Sequence, residues 1–332
     1  HVMEGRNQYS PMTGLPSLRQ QVAAKIARSY GVQRDADSEI TITPGATEAI
    51  FCAVQALIHP GDEAIVLDPC YDSYEPSVEL AGGRCVHVPL ALLDFAVDWQ
   101  RLADAITPRT RLIIVNSPHN PTGRVFTRQD WLALQHLVLE HKLYCISDEV
   151  YEHMVFDAKP ALSANSFADL AAHSFIVSSF GKTFHVTGWK LGYCVAPAEL
   201  SVEFRKIHQY ATFSSFTPAQ YAIADMLAQQ PEQVSSLAAF YQQKRDRFVS
   251  LLQRSRFKLL PCEGSYFLLA DYSAVSDLDD VSFCHWLTKV HKVAAIPLSV
   301  FYQAAPGDRI IRFCFAKEDS TLVAAAERLC QI

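Results

Sequence analysis

A lysine set among Phe180, Phe184 and Trp189, as Lys182 is in Ser178-Ser179-Phe180-Gly181-Lys182-Thr183-Phe184-His185-Val186-Thr187-Gly188-Trp189-Lys190, loses hydration of its ammonium form. That favours the neutral amine, which attacks carbonyl carbons and forms Schiff bases. The apolar run Phe175-Ile176-Val177 leads in as a strand and Gly181 lets the backbone turn, so the amine is expected at a strand's end. Lys190 can neutralise an anion on the same side, Ser179 and Thr183 offer hydroxyls, and Gly188 and Gly192 permit close backbone approach. The segment reads as a phosphate seat beside a carbonyl-binding amine. Taken alone, a lysine near aromatic rings is commonly just an amphipathic side chain reaching for water; its neighbours argue for chemistry.

Four further groups fit the same chemistry. Pro44-Gly45-Ala46-Thr47 is a turn opening a helix, where free backbone amides, the positive end of the helix dipole and the Thr47 hydroxyl make an anion cradle; Thr47 as a simple helix cap is compatible with that. In Asn116-Ser117-Pro118-His119-Asn120-Pro121-Thr122-Gly123 two X-Pro bonds and a glycine stiffen a loop that can hold the Asn120 amide against a phenolate oxygen. Asp148-Glu149-Val150-Tyr151-Glu152-His153 leaves a strand with carboxylates and a tyrosine. Asp148 can keep a ring nitrogen protonated, making a heterocycle an electron sink, while Tyr151 can hydrogen-bond the ring oxygen. A divalent-metal site from Asp148, Glu149, Glu152 and His153 is the rival reading, but no ligand spacing supports it, and no metal is expected. Arg312 lies inside Ile310-Ile311-Arg312-Phe313-Cys314-Phe315, where a buried guanidinium needs an anion and its fork fits a carboxylate.

The elements that position these groups alternate as strands and helices. Strands are expected at 40–43, 63–68, 85–88, 110–115 and 143–147, with helices at 15–30, 48–58, from Pro69 towards Ala81, 99–106 and 128–141, the pattern of a parallel sheet with crossover helices. Tyr71, just past a strand's carboxyl end, stands where open α/β sheets bind ligands and can stack on a flat ring. Helices at 201–211, 218–227 and 232–254 follow, then strands at 257–260, 266–270, 294–296 and 310–315 around helices near 283–290 and 320–330. We therefore expect an α/β fold: a large domain, 1–228, with a mostly parallel sheet sandwiched by helices, and a smaller α+β domain, 229–332.

Composition limits the partners. The 332 residues are 49% hydrophobic and 19% charged, with formal net charge −6. No basic tract exists to release counterions from nucleic acid, and no apolar run approaches a membrane span. Nine cysteines without paired metal spacing suit reduced thiols in a cytoplasm.

Together these strings resemble the pyridoxal-phosphate-dependent class I aminotransferases of fold type I, in particular the branch of methionine and kynurenine (glutamine transaminase K) aminotransferases. The resemblance runs over nearly the whole chain with the motifs in family order. It implies pyridoxal 5'-phosphate as cofactor and exchange of an amino group between an amino acid and a 2-oxo acid. Lys182 would be cofactor anchor and proton shuttle. Gly45, Ala46, Thr47, Ser179 and Lys190 would hold the phosphate, and Tyr71, Asn120, Asp148 and Tyr151 the ring, with Arg312 and Asn120 at the substrate. It implies that Tyr9 reaches a neighbouring subunit's cofactor phosphate, hence a homodimer, and that an arm upstream of His1 helps close the site. Lys190 departs from the arginine common in relatives and offers a point charge in place of a fork. No second arginine matches a substrate motif. Tyr9, Tyr71, Phe184 and Tyr302 are the expected aromatic walls, which favours an apolar, aromatic or sulfur-containing donor, methionine first. A carbon–sulfur β-lyase on the same scaffold and a non-catalytic ligand sensor are the alternatives.

Overall fold

The computed structural model describes residues 1–92 and 94–332. Strands β1 (Ile40–Thr43), β2 (Glu63–Asp68), β3 (Arg84–Pro89), β4 (Thr110–Asn116), β5 (Tyr144–Asp148), β6 (Ser174–Ser179) and β7 (Gly192–Val195) form one sheet in the order β1-β7-β6-β5-β4-β2-β3. Only β7 runs against its neighbours; β6, β5, β4, β2 and β3 pair in parallel. Strands such as Leu112-Ile113-Ile114-Val115 are buried throughout, as a parallel sheet covered on both faces requires. Because six strands share one direction, the carboxyl ends of β1, β2, β4, β5 and β6 lie along one edge. The register puts Asn116 beside Asp148 and Asp148 beside Val177.

The helices in chain order are α1 (Pro16–Tyr30), α2 (Ala46–Leu57), α3 (Tyr74–Leu80), α4 (Trp99–Asp104), α5 (Arg128–Glu140), α6 (Ala168–Ala171), α7 (Phe180–Thr183), α8 (Ala198–Ala211), α9 (Thr217–Gln229), α10 (Glu232–Ser235), α11 (Leu237–Leu252), α12 (Asp280–His291) and α13 (Asp319–Leu329). One face of the sheet packs on Leu18, Val22, Trp131, Leu134 and Ile223 of α1, α5 and α9. The other packs on Ile50, Val54, Val78 and Phe204 of α2, α3 and α8. A second, antiparallel sheet of β8 (Lys258–Leu259), β9 (Phe267–Asp271), β10 (Ile296–Pro297) and β11 (Ile310–Cys314), ordered β10-β11-β9-β8, packs with α11, α12 and α13 in its own core. That core also takes in Val150, Tyr151, Met154 and Phe156, so the segment just past Asp148 is gripped by the second sheet. The α/β expectation stands.

Some boundaries differ for local reasons. Helix α2 opens at Ala46, two residues before the expected start, so its first amides face the sheet edge. After β2 a turn delays the helix until Tyr74. The long helix expected over 232–254 is broken near Ser236 into α10 and α11. Lys182 is not at the strand's end: β6 stops at Ser179, and the single turn α7 carries the lysine. Gly192 does need its missing side chain, since a Cβ there would stand 2.6 Å from the Ser178 carbonyl and 3.1 Å from the Ala46 nitrogen. Gly188 does not, having open space around it.

A buried ion pair ties α1 to this sheet. Lys25 Nζ lies 2.5 Å from Glu152 Oε1, Tyr193 donates to the same oxygen at 2.8 Å as does Ser178, and Tyr30 donates to Oε2. Burial pushes the Glu152 carboxyl up, but the Lys25 ammonium and these donors hold it well below the usual carboxylate range. Glu149 accepts from the Ser147 hydroxyl and the Ala164 amide, both away from Asp148. Glu149 and Glu152 thus accept hydrogen bonds in the interior, while Asp148 lines a cavity. Replacing Lys25 by Met would strand a buried carboxylate, and a loss of about 3–5 kcal/mol is expected. Urea unfolding of Lys25→Met measures it; an unchanged midpoint would show that the pair does not hold α1.

Candidate active site

Along the common strand edge lies a cavity of about 540 Å³, bounded on the opposite side by β10, β11 and the start of β9. Gly45, Ala46, Thr47, Tyr71, Asn120, Asp148, Tyr151, Ser179, Lys182, Lys190 and Arg312 all line it. Each reaches it from a strand end or from the loop or first helical turn that follows, except Arg312, which comes from the middle of β11.

At one end, α2 begins with Gly45 at φ +90° and no side chain capping its first amides. A Cβ on Gly45 would lie 3.6 Å from Lys190 Nζ, so an ammonium and an uncapped helix start converge on the same space. Lys190 itself adopts φ +50°, a left-handed conformation that turns the chain back under α2. Ser179 and Thr187 complete this end. Thr183, expected here, instead turns inward, its hydroxyl donating to the Ser179 carbonyl at 3.3 Å. With two cationic features and hydroxyl donors, the site fits a phosphate-sized anion.

At the other end Asp148 is buried and its carboxylate accepts from the Tyr74 hydroxyl at 2.7 Å. Burial raises its pKa to about 6; the Tyr74 hydrogen bond, the Val150 amide and the charge of Lys182 pull the other way. A buried carboxylate facing a cavity gains most from a cation placed beside it. Asn116 fixes its backbone: the amide of Asn116 donates to the Asp148 carbonyl at 2.8 Å, and its oxygen accepts from the Asn120 N–H at 2.7 Å. One side chain thus ties β5 to the loop carrying Asn120.

Between these ends stands Lys182. Its Nζ donates to the Tyr266 hydroxyl at 3.1 Å and lies 5.8 and 5.7 Å from the ring centres of Tyr151 and Tyr266. The rings around the amine are therefore these tyrosines, whereas Phe180 and Phe184 stack on each other within the core and Trp189 is largely exposed. Arg312 donates to the Asn120 side-chain oxygen and is held between two rings, 3.9 Å above Phe267 and 4.8 Å from Phe301. Its cation–π contacts fix the fork while leaving it open to the cavity.

Two expected aromatic walls lie elsewhere. Phe184 packs against the core, and Tyr302 faces a separate hollow with Tyr272 and Arg309. Their places are taken by Phe267 and Phe301, with Ile296 and Val300 at the rim. Tyr9 does not line the cavity of its own chain; it is 80% exposed and meets Phe213 edge-on at 5.3 Å. Asp72, Tyr74, Asn116, Thr187, Tyr266 and Phe267 escaped the sequence reading. Tyr74 comes three residues after Tyr71 and opens α3, and Asn116 ends the strand beside Asp148, so both had a usable signal. Tyr266 and Phe267 arrive by tertiary packing, which spacing does not reveal.

The model of the aminotransferase class I and II family matches residues 1–329. A methionine aminotransferase of Escherichia coli is 54% identical over 332 residues, covering 100% of this chain and 86% of that protein. Human kynurenine–oxoglutarate transaminase 3 is 36% identical over 355 residues, covering 98% of this chain and 78% of its own length. A crystal structure from Escherichia coli, reported with a methionine aminotransferase function, superposes with TM-score 0.98 at 55% identity, covering 100% of this chain and 87% of that one. A Thermus thermophilus aspartate aminotransferase mutant gives TM-score 0.90 at 32% identity, with 99% and 85% covered. Agreement of this extent over both sequence and fold leaves one assignment: the chain belongs to the class I and II aminotransferase family.

Proposed function

We propose that this enzyme uses pyridoxal 5'-phosphate to move an amino group from an uncharged, mainly apolar or sulfur-containing L-amino acid, methionine foremost, to a 2-oxo acid. The observation that carries the reading is the spacing of charge within one cavity: an anion cradle, an amine, a buried carboxylate and a ring-clamped guanidinium, in that arrangement. The residues present fit the cofactor. The uncapped start of α2 with Lys190, Ser179 and Thr47 would hold its phosphate, Asp148 its ring nitrogen, Tyr71 the ring face, and Asn120 and Tyr151 the ring oxygen. Bound there, the cofactor supplies an electron sink for negative charge at the substrate α-carbon.

The chain's own residues do the rest. Arg312 takes the substrate carboxylate with its fork, which Asn120 and the two rings keep aimed. Lys182 would anchor the cofactor covalently, and its amine, when free, would be the group that holds and moves a proton at the substrate α-carbon. A cationic ring nitrogen beside Asp148 would keep its carboxylate ionised against the burial that raises its pKa.

Substrate choice rests on the walls. Tyr71, Phe267, Phe301, Ile296 and Val300 give thioethers and rings an apolar surface, and Arg312 is the sole guanidinium among the described residues lining the cavity. The Escherichia coli relative named above is a methionine aminotransferase. A homodimer is part of this proposal, with Tyr9 entering the partner's site; the exposed aromatics Tyr9, Tyr210, Phe213 and Phe216 support it. We place the division between the cofactor-holding unit and the smaller unit bearing Arg312 near residue 228, between the two sheets. A cytoplasmic setting is supported by nine free cysteines. Among the described residues no helix is long and apolar enough to cross a membrane, and neither membrane nor nucleic acid is proposed as a partner.

Lys182→Ala should fold normally and lose about 10²–10⁴-fold in kcat. Tyr9→Ala should be impaired through the partner's site. Mixing the two variants should restore up to about a quarter of wild-type activity, because hybrid dimers carry one intact site; no recovery on subunit exchange would remove Tyr9 from the neighbouring site. In a donor panel with one 2-oxo acid, kcat/KM should rank methionine, leucine, phenylalanine and kynurenine above aspartate and lysine. Discrimination within the apolar group should stay near 1–3 kcal/mol per methylene. A preference for aspartate or lysine would overturn the apolar pocket, and ammonia with pyruvate from a cysteine conjugate in place of transfer would favour the β-lyase.

A further inference from the structure

We propose that the Tyr266 hydroxyl is the positioning group for the Lys182 amine whenever that amine is free, an inference that rests on the function proposed above. Tyr266 does not line the cavity; it reaches Lys182 from behind, with its hydroxyl 3.1 Å from Nζ. The ring has little room to swing away. It meets Tyr151 edge-on at 5.1 Å, Phe267 at 4.7 Å and Tyr241 at 5.7 Å, and the Tyr266 carbonyl accepts from the Phe315 N–H at 3.1 Å.

The chemistry of a phenol suits this place. An amine that carries a proton to and from carbon must be neutral at one moment and cationic at the next. An ammonium can only donate hydrogen bonds, whereas a neutral amine also accepts, and a hydroxyl answers both because it donates and accepts. Tyr266 can therefore keep Nζ at one point in both protonation states, accepting an N–H of either form and donating to the lone pair of the neutral amine, whereas a pure donor would suit the neutral amine alone. The adjacent residue extends the role. Phe267 lies 3.9 Å beneath the Arg312 guanidinium, so two consecutive residues at the entry to β9 hold the amine and the carboxylate-binding group in fixed relation. Tyr266 touches neither substrate nor cofactor in this account; it acts through Lys182.

Tyr266→Phe keeps the ring packing and removes only the hydroxyl. Stripped of cofactor, wild-type protein should attach pyridoxal 5'-phosphate covalently, Lys182 Nζ condensing with the aldehyde carbon and one water leaving. Tyr266→Phe should attach it roughly 10-fold more slowly, the scale of one hydrogen bond to a charged group. Pyridoxine 5'-phosphate, which has no carbonyl, should bind both proteins with the same Kd, showing an intact seat and fold. In the loaded enzyme kcat with methionine should fall about 10-fold while KM stays within about twofold, since the amine and not the substrate loses its guide. Attachment and kcat within twofold of wild type would reduce Tyr266 to a packing residue and leave the function standing. Failure of the wild-type protein to attach the aldehyde would instead remove the function on which the inference depends.

Discussion

Six strands that leave one sheet in the same direction are the constraint on which the site depends. Parallel pairing aligns their carboxyl ends, and each end must be followed by a loop that satisfies its own backbone at a shared edge. Asp148, Asn120, Tyr71 and the turn at Gly45 are neighbours for that reason, although up to about a hundred residues of chain separate them. The reversed strand β7 has a separate use. It returns the chain after Lys190 so that Gly192 passes under the start of α2, which brings the Lys190 ammonium to that helix's uncapped amides.

The second sheet supplies what one edge cannot. A ligand seated against strand ends needs a far wall, and β9, β10 and β11 provide it with Phe267, Ile296 and Arg312. Burying a guanidinium is costly without partners. Two ring faces and the Asn120 oxygen offset that cost here, and Asn120 is in turn held by Asn116, whose amide also fixes Asp148. Asp148 and Arg312 are thus linked through two asparagines. Rigid spacing of opposite charges is what transfer between two ligands at a common carbon demands.

Much of this was legible in the residues, and what was not has a physical cause. Continuous apolar runs such as Leu112 to Val115 and the turn chemistry at Gly45 and Asn120 are local signals, so the large sheet and the residues at its strand ends could be read directly. The aromatic surroundings of Lys182 could not. Phe180 and Phe184 are its sequence neighbours, yet a single helical turn directs them into the core, and Tyr151 and Tyr266 arrive from other segments. Tyr302 was displaced from the site in the same manner: the short 3₁₀ turn at Ser299–Phe301 presents Phe301 and leaves Tyr302 facing another hollow. The break of the 232–254 helix near Ser236 follows from tertiary packing of α11, with Leu237, Tyr241 and Phe248 buried in the second core.

On the proposed function, one cavity carries out half of an exchange and then waits for an acceptor. Mixing cofactor-loaded protein with methionine alone tests it most directly, following the visible absorbance of the cofactor and the 2-oxo acid formed. A single turnover is expected: one equivalent of 2-oxo acid per subunit, loss of the absorbance of the lysine-bound cofactor, no free ammonia, and restoration when a 2-oxo acid is added. Continuous release of ammonia without an acceptor, or a spectrum unmoved by methionine or any other apolar donor, would contradict it.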